Sequence, residues 1–251
     1  MRVDFAGSCP KDLSEPGSNE DAWAASDDGS LVALCDGASE SYDSKAWAAI
    51  IARRWVADPE FNPEWVASSL AAYMDGVDLA AMSWSQHAGF ERGSFSTLLG
   101  LEYIAARRSV EALAVGDCVA ILADGERIVD AWPFADPERF KERPTLLSTL
   151  ATMNAFVGDP DFRLRNVRIF DLAPLAQPRV FCMTDALAEW ALRQEAESAG
   201  ALARLGAISN EEELRKLVEA ERAAKRLRLD DSTLIVLSFA PPESGDALSQ
   251  P

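Results

Sequence analysis

The sequence predicts an α+β fold of layered type, with helices outside the sheets. The observations behind this are short apolar runs that suit strands, helical segments that come in pairs, and strand links that mostly read as antiparallel.

The strand-like runs are "LVALC" at 31–35, "LLGLEYI" at 98–104, "EALAV" at 111–115, "CVAIL" at 118–122, "RIVDAW" at 127–132, "RVFCMT" at 179–184 and "STLIVLSF" at 232–239. Asp124-Gly125 between the fourth and fifth of these is a hairpin turn signal. The run from Glu111 to Trp132 therefore reads as an antiparallel meander. In the first helix pair, "SKAWAAIIARRWVA" puts Trp47, Ile50, Ile51 and Trp55 on one face. "PEWVASSLAAYMDGVDLAAM" does the same with Val66, Leu70, Tyr73 and Val77. In the second pair, one helix follows Asp185 through Leu187, Trp190 and Leu192. The next starts at Asn210, with Glu213 placed as a capping-box partner and Leu214, Leu217 and Val218 facing inward. "PPESGDALSQP", 241–251, reads as a flexible C-terminal tail after a domain spanning 1–240.

The chain has 251 residues, 48% of them hydrophobic, which is a globular composition with room for a sizeable core. Its net charge of −17, from 41 acidic against 24 basic residues, argues against nucleic acid and anionic membrane as general partners. Cys9, Cys35, Cys118 and Cys182 show no C-x-x-C spacing, so a zinc site is not expected. Three of them lie in apolar runs and behave as small hydrophobes, which fits a reducing cytoplasm. "MRVDFAGSCPKD" has no apolar leader and no stretch is long enough to span a bilayer, so a protein neither exported nor membrane-spanning is expected.

The chemistry concentrates where strands end. Glu20 and Asp21 lie in "SNEDAWAAS", Asp36 ends "LVALC", and Asp117 sits in "AVGDCVAIL". Asp185 ends "RVFCMT", and Asp230 and Asp231 precede "STLIVLSF". Any one of these aspartates is ordinary in a turn or at a helix N-cap. Together they suggest carboxylates gathered at clustered strand ends, able to share hard divalent cations.

In order and spacing, "NEDAW" (19–23), "LVALCDG" (31–37), "SFSTLLGL" (94–101), "AVGDCV" (114–119), "VFCMTDALAEW" (180–190) and "LDDSTLIVL" (229–237) resemble the PP2C-type (PPM) metal-dependent Ser/Thr protein phosphatases. The resemblance spans residues 3–239. It implies a four-layer α-β-β-α sandwich, two mainly antiparallel sheets flanked by paired helices. It also implies a phosphorylated protein substrate, phosphoserine or phosphothreonine, and two Mn2+ or Mg2+ ions, with a third held more loosely. By motif position, Asp36 would bridge two ions and the Gly37 carbonyl would bind one of them. Glu20, Asp185 and Asp230 would hold the second, and Asp21 would orient a metal-bound water. Asp117 and Glu189 match positions that, with Asp185, form the third site. The catalytic pair is thus Asp21 and Asp36, and no nucleophilic side chain is required.

The sequence departs from the family pattern in four places. Pro16 stands where an arginine usually holds the substrate phosphate, leaving Lys11 as the nearest upstream cation. "DGASES" replaces D-G-x-G-G, and "TDA" replaces S-D-G, so Ala186 brings a methyl group that would be strained at a positive φ. Ala38 stands where some members carry a general-acid histidine; His87, the only histidine, reads as a loop or surface residue. The basic residues Arg139, Lys141, Arg143, Arg163, Arg165 and Arg168 fall in a stretch read as a variable flap and are read as solvated. The expected function is a metal-dependent phosphoprotein phosphatase. The alternative is a catalytically weak module of the same fold that binds a phosphoprotein.

Overall fold

The computed structural model describes residues 1–39, 41–197 and 200–240, so the tail at 241–251 lies outside the described residues. In chain order the elements are β1 (Arg2–Cys9), β2 (Ala22–Ala25), β3 (Leu31–Cys35), α1 (Ser44–Ala57), α2 (Pro63–Asp75) and α3 (Trp84–Arg92). They continue with β4 (Phe95–Ser96), β5 (Leu98–Ile104), β6 (Ser109–Val115), β7 (Val119–Asp124), β8 (Arg127–Trp132), β9 (Leu147–Ser148) and α4 (Phe162–Asn166). Last come β10 (Val167–Asp171), β11 (Pro178–Met183), α5 (Asp185–Glu197), α6 (Ala201–Gly206), α7 (Glu211–Ala223) and β12 (Ser232–Ser238).

Two five-stranded sheets carry the fold, ordered β1-β12-β11-β7-β8 and β10-β6-β5-β3-β2. Their strands pair antiparallel throughout. Between the sheets lies a core containing Val32, Leu34, Leu101, Leu122, Cys182, Ile235 and Leu237. On the outer face of the first sheet, α5, α6 and α7 bury Leu187, Trp190, Leu205, Leu214 and Val218. On the outer face of the second, α1 and α2 bury Trp47, Ile51, Trp55 and Trp65. The layers are helix, sheet, sheet, helix, as the sequence predicts.

This layering explains the continuous apolar strands. In β3, Val32 and Leu34 face the middle core while Ala33 and Cys35 face α1. In β12, Ile235 and Leu237 point to the middle and Leu234 and Val236 to the outer helices. A strand covered on both faces has no polar side to show. Helix α1 lies close because β5 carries Gly100: a Cβ there would sit 2.4 Å from the Trp55 ring.

The meander expected from Glu111 to Trp132 does not form. β6 pairs with β5 and β10, whereas β7 pairs with β11 and β8. The chain changes sheets at Gly116, whose φ of +106° permits the turn and whose missing side chain leaves room for Thr97. Only the β7–β8 half is a hairpin, closed opposite Asp124 and Arg127 with Gly125 at φ +64°. α2 stops at Asp75 instead of running on to Met82, because Gly76 ends it and a 3-10 turn follows at Leu79–Ala81. His87 lies on α3, not in a loop, and is exposed. Asn210 caps α7 by accepting the Glu213 N–H (3.0 Å), while the Glu213 carboxylate takes the Ser209 N–H (2.8 Å), one residue short of a capping box.

Candidate active site

The strand register gathers the acidic residues at one end of the sandwich. Cys35 is opposite Ala22, which sets Asp36 beside Glu20 and Asp21. Met183 is opposite both Val119 and Leu234, which brings Asp185, Asp117 and the Asp230-Asp231 pair to the same end of the other sheet.

Asp36 is fixed through its backbone. Its N–H donates to Thr97 Oγ1 (2.7 Å), and its carbonyl accepts the Thr97 N–H (2.9 Å). Burial raises the Asp36 carboxyl well above the usual carboxylate range, and repulsion from Asp21, Asp117, Asp230 and Asp231 adds to the shift. Gly37 then passes through a gap that only glycine fits, since a Cβ would lie 2.9 Å from the carbonyl oxygens of both Glu20 and Ser44.

Glu20 and Asp21 meet different surroundings. Glu20 accepts from Lys11 Nζ (2.7 Å) and Ser44 Oγ (2.5 Å). Burial raises its carboxyl, but these bonds outweigh it and the net shift is downward. Asp21 is pushed up to about 7 by burial, against the pull of hydroxyl donors, with Asp231 and Asp230 adding repulsion. Its Oδ2 accepts from Thr233 Oγ1 (2.5 Å) and Thr184 Oγ1 (3.1 Å), while Oδ1 is buried and has no partner. Asp231 is a scaffold residue: it accepts the N–H groups of Lys11 (2.7 Å) and Glu20 (2.9 Å), tying the N-terminal segment to β12.

On the far side, Arg228 reaches three of the remaining carboxylates, and Arg193 holds one of them, Glu189, at 3.0 Å as well. Arg228 Nη2 pairs with Asp185, Nη1 stands 3.6 Å from Glu189 Oε2, and Nε stands 3.9 Å from Asp230 Oδ2. Burial raises the Asp117 carboxyl, with Arg228 opposing and Asp230 reinforcing the shift. Sequence reasoning missed Arg228 and the hydroxyl set of Thr97, Ser44, Thr184 and Thr233. The one signal for Arg228 was a basic residue placed two positions before Asp230.

The donor chemistry fits hard divalent cations: clustered carboxylates that repel one another, an orphaned Asp21 Oδ1, and a Gly37 backbone with no side chain in the way. Among the described residues no three His, Cys, Asp or Glu side chains form a ready-made metal cage. Internal cations hold the outer carboxylates instead, Lys11 on Glu20 and Arg228 on Asp185.

No family model matches the sequence, and no curated protein matches it. Solved structures do. The chain superposes on the serine/threonine phosphatase Stp1 from Staphylococcus aureus with TM-score 0.59 at 14% identity, covering 96% of both chains. It matches the Mycobacterium tuberculosis serine/threonine phosphatase PstP/Ppp with TM-score 0.58 at 14% identity, over 96% of this chain and 99% of that one. It matches a bacterial serine phosphatase with TM-score 0.53 at 13% identity, over 88% of this chain and 92% of the other.

The chain has the fold of these phosphatases.

Within that fold the departures find physical explanations. Ala186 is buried in the first turn of α5 and is absent from the positive-φ residues, so its methyl group meets no backbone strain. Pro16 sits in a 3-10 turn, and Lys11 is the cation that the N-terminal segment delivers to the site. In the stretch read as a flap, Arg139, Lys141, Arg163, Arg165 and Arg168 each pair with a carboxylate, and Arg143 is exposed. All four cysteines are buried and free, and burial raises those at 35, 118 and 182 above the usual thiol range. Among the described residues no helix is long and apolar enough to cross a membrane.

Proposed function

We propose that residues 1–240 act as a metal-dependent phosphoprotein phosphatase on phosphoserine or phosphothreonine. The observation that carries this reading is the convergence of Glu20, Asp21, Asp36, Asp117, Asp185 and Asp230 at one end of a phosphatase-type sandwich. Asp36, the Gly37 carbonyl, Glu20, Asp185 and Asp230 would hold two Mn2+ or Mg2+ ions, and Asp117 and Glu189 would serve a looser third. Bound there, the ions would activate water and neutralise the charge of an in-line phosphoryl transfer.

The chain's own residues supply position and proton handling. Thr97 holds Asp36 from the backbone, so its carboxylate projects from a fixed point. Thr184 and Thr233 lock Asp21 through Oδ2 and leave Oδ1 as the atom that accepts a hydrogen bond from the attacking water. Lys11 supplies the positive charge that Pro16 cannot. A cytoplasmic setting fits the four free cysteines.

The test is hydrolysis of p-nitrophenyl phosphate and a phosphothreonine peptide with Mn2+, with EDTA, and by Asp36→Asn. Metal-dependent turnover lost in Asp36→Asn supports the reading. The second reading, a phosphoprotein-binding module with little turnover, is favoured by the hold of Lys11 and Arg228 on the outer carboxylates. Peptide binding without hydrolysis would select it.

A further inference from the structure

We infer that Arg228 is an internal counter-cation that competes with divalent metal for Asp185, Asp230 and Glu189. The inference rests on the metal-dependent reading above and adds what sets the metal affinity.

The geometry is that of a charge partner, not of a rigid fork. Only the Asp185 contact is close; Glu189 and Asp230 are reached at 3.6 and 3.9 Å, beyond hydrogen-bond range. The Nε–H is buried with no hydrogen-bond partner, so the guanidinium is imperfectly satisfied where it lies. Its contacts come from two separate elements, the first turns of α5 and the 224–231 connection, and it holds them together by charge. The side chain is about a third exposed and borders a cleft of about 760 Å3, also lined by Arg193, Arg222 and Lys225.

The charge balance gives the reason for it. The strand register gathers Asp21, Asp36, Asp117, Asp230 and Asp231 at one end of the sandwich, where their charges repel. Among the described residues, the ion pairs that reach carboxylates of this cluster and its neighbours Glu20 and Asp185 come from Lys11 and Arg228, while Arg222 donates to the Asp230 carbonyl. Without metal, Arg228 relieves that repulsion. A divalent ion at the same carboxylates brings twice the charge and prefers carboxylate oxygen. The guanidinium and the ion draw on the same Asp185 carboxylate and repel each other. Binding must therefore move Arg228 aside, and the metal-free, arginine-latched state lowers the apparent affinity by the share of the population it holds.

The experiment is calorimetric titration of Mn2+ into the full-length protein, Arg228→Gln and Arg228→Lys, with thermal melts of each metal-free form. Arg228→Gln is expected to bind Mn2+ at least about tenfold more tightly, the gain from removing a competing state that holds roughly nine-tenths of the molecules. Its metal-free form should melt lower than the wild type, and Mn2+ should recover more of its stability. Arg228→Lys, which keeps the charge without the wide guanidinium, should lie between. If Arg228→Gln does not fold, Arg228→Lys decides: tighter binding than wild type supports the inference and equal or weaker binding overturns it. A lower melting temperature with unchanged or weaker Mn2+ affinity in Arg228→Gln makes the arginine purely structural and overturns the inference while leaving the metal site standing. No Mn2+ binding by any folded variant overturns the metal-dependent reading, and the competition with it.

Discussion

Asp36 and Thr97 are joined twice. The Asp36 N–H donates to Thr97 Oγ1 at 2.7 Å, and the Thr97 N–H donates to the Asp36 carbonyl at 2.9 Å. The pair locks the end of β3 to the start of β5, where the central carboxylate of the candidate site begins. Thr97→Val keeps the shape but leaves the Asp36 N–H without its partner, so it should cost about 1–2 kcal/mol of stability. It should also lower kcat/KM about tenfold by loosening the carboxylate, since small misplacements at a reacting centre are costly. Thr97→Ser should restore most of both. Thermal melts and peptide hydrolysis check this together.

The carboxyl of Asp36 is raised by burial and by its acidic neighbours, so its charged form is penalised in the folded, metal-free protein. At neutral pH, Asp36→Asn should therefore raise the metal-free melting temperature, by an amount reflecting roughly 1 kcal/mol or more. The same change should remove the stabilisation that Mn2+ gives the wild type. Differential scanning fluorimetry with and without Mn2+ reads both effects.

Much of this arrangement is legible in the sequence. β3, β11 and β12 are covered on both faces, so their sequences are largely apolar, and an aspartate close to one end stands out. β1 and β2 escape notice because they are built of small and polar residues, "RVDFAGSC" and "AWAA", which local propensity does not flag. The Gly116-Asp117 turn looks the same whether the chain folds back within a sheet or crosses to the other, and only long-range pairing decides. Arg228 is illegible for a related reason. Arg226, two residues earlier in the same short segment, goes to buried Glu221 instead, and nothing local tells the two apart.

Gly37→Ala would drive a methyl group to 2.9 Å from two backbone carbonyls, on Glu20 and Ser44. Neither can give way without moving a candidate ligand or the start of α1. A loss of about 1–3 kcal/mol is expected, typical of overpacking. Mn2+ affinity should fall with it, whereas Gly17→Ala, where a methyl group meets nothing within 4 Å, should change neither.

Away from the site, Glu221 gives the fold an acid limit. Its carboxylate is 2% exposed, and Arg226 first, then Arg204 and Trp190, hold it down to about 2. A carboxyl depressed in the folded state stabilises above its unfolded value of 4.5 and loses that contribution as the pH falls toward 2. The arginines are half-exposed, so the contribution is on the order of 2 kcal/mol. Denaturant titrations across that window should show stability falling with pH, and Glu221→Gln should flatten the slope while lowering stability at neutral pH.

The most direct test of the central claim is anomalous diffraction from crystals soaked in Mn2+. The account predicts Mn2+ peaks flanking the Asp36 carboxylate, with Arg228 turned away from Asp185. Peaks only elsewhere on the acidic surface, or none at full soak, would contradict it.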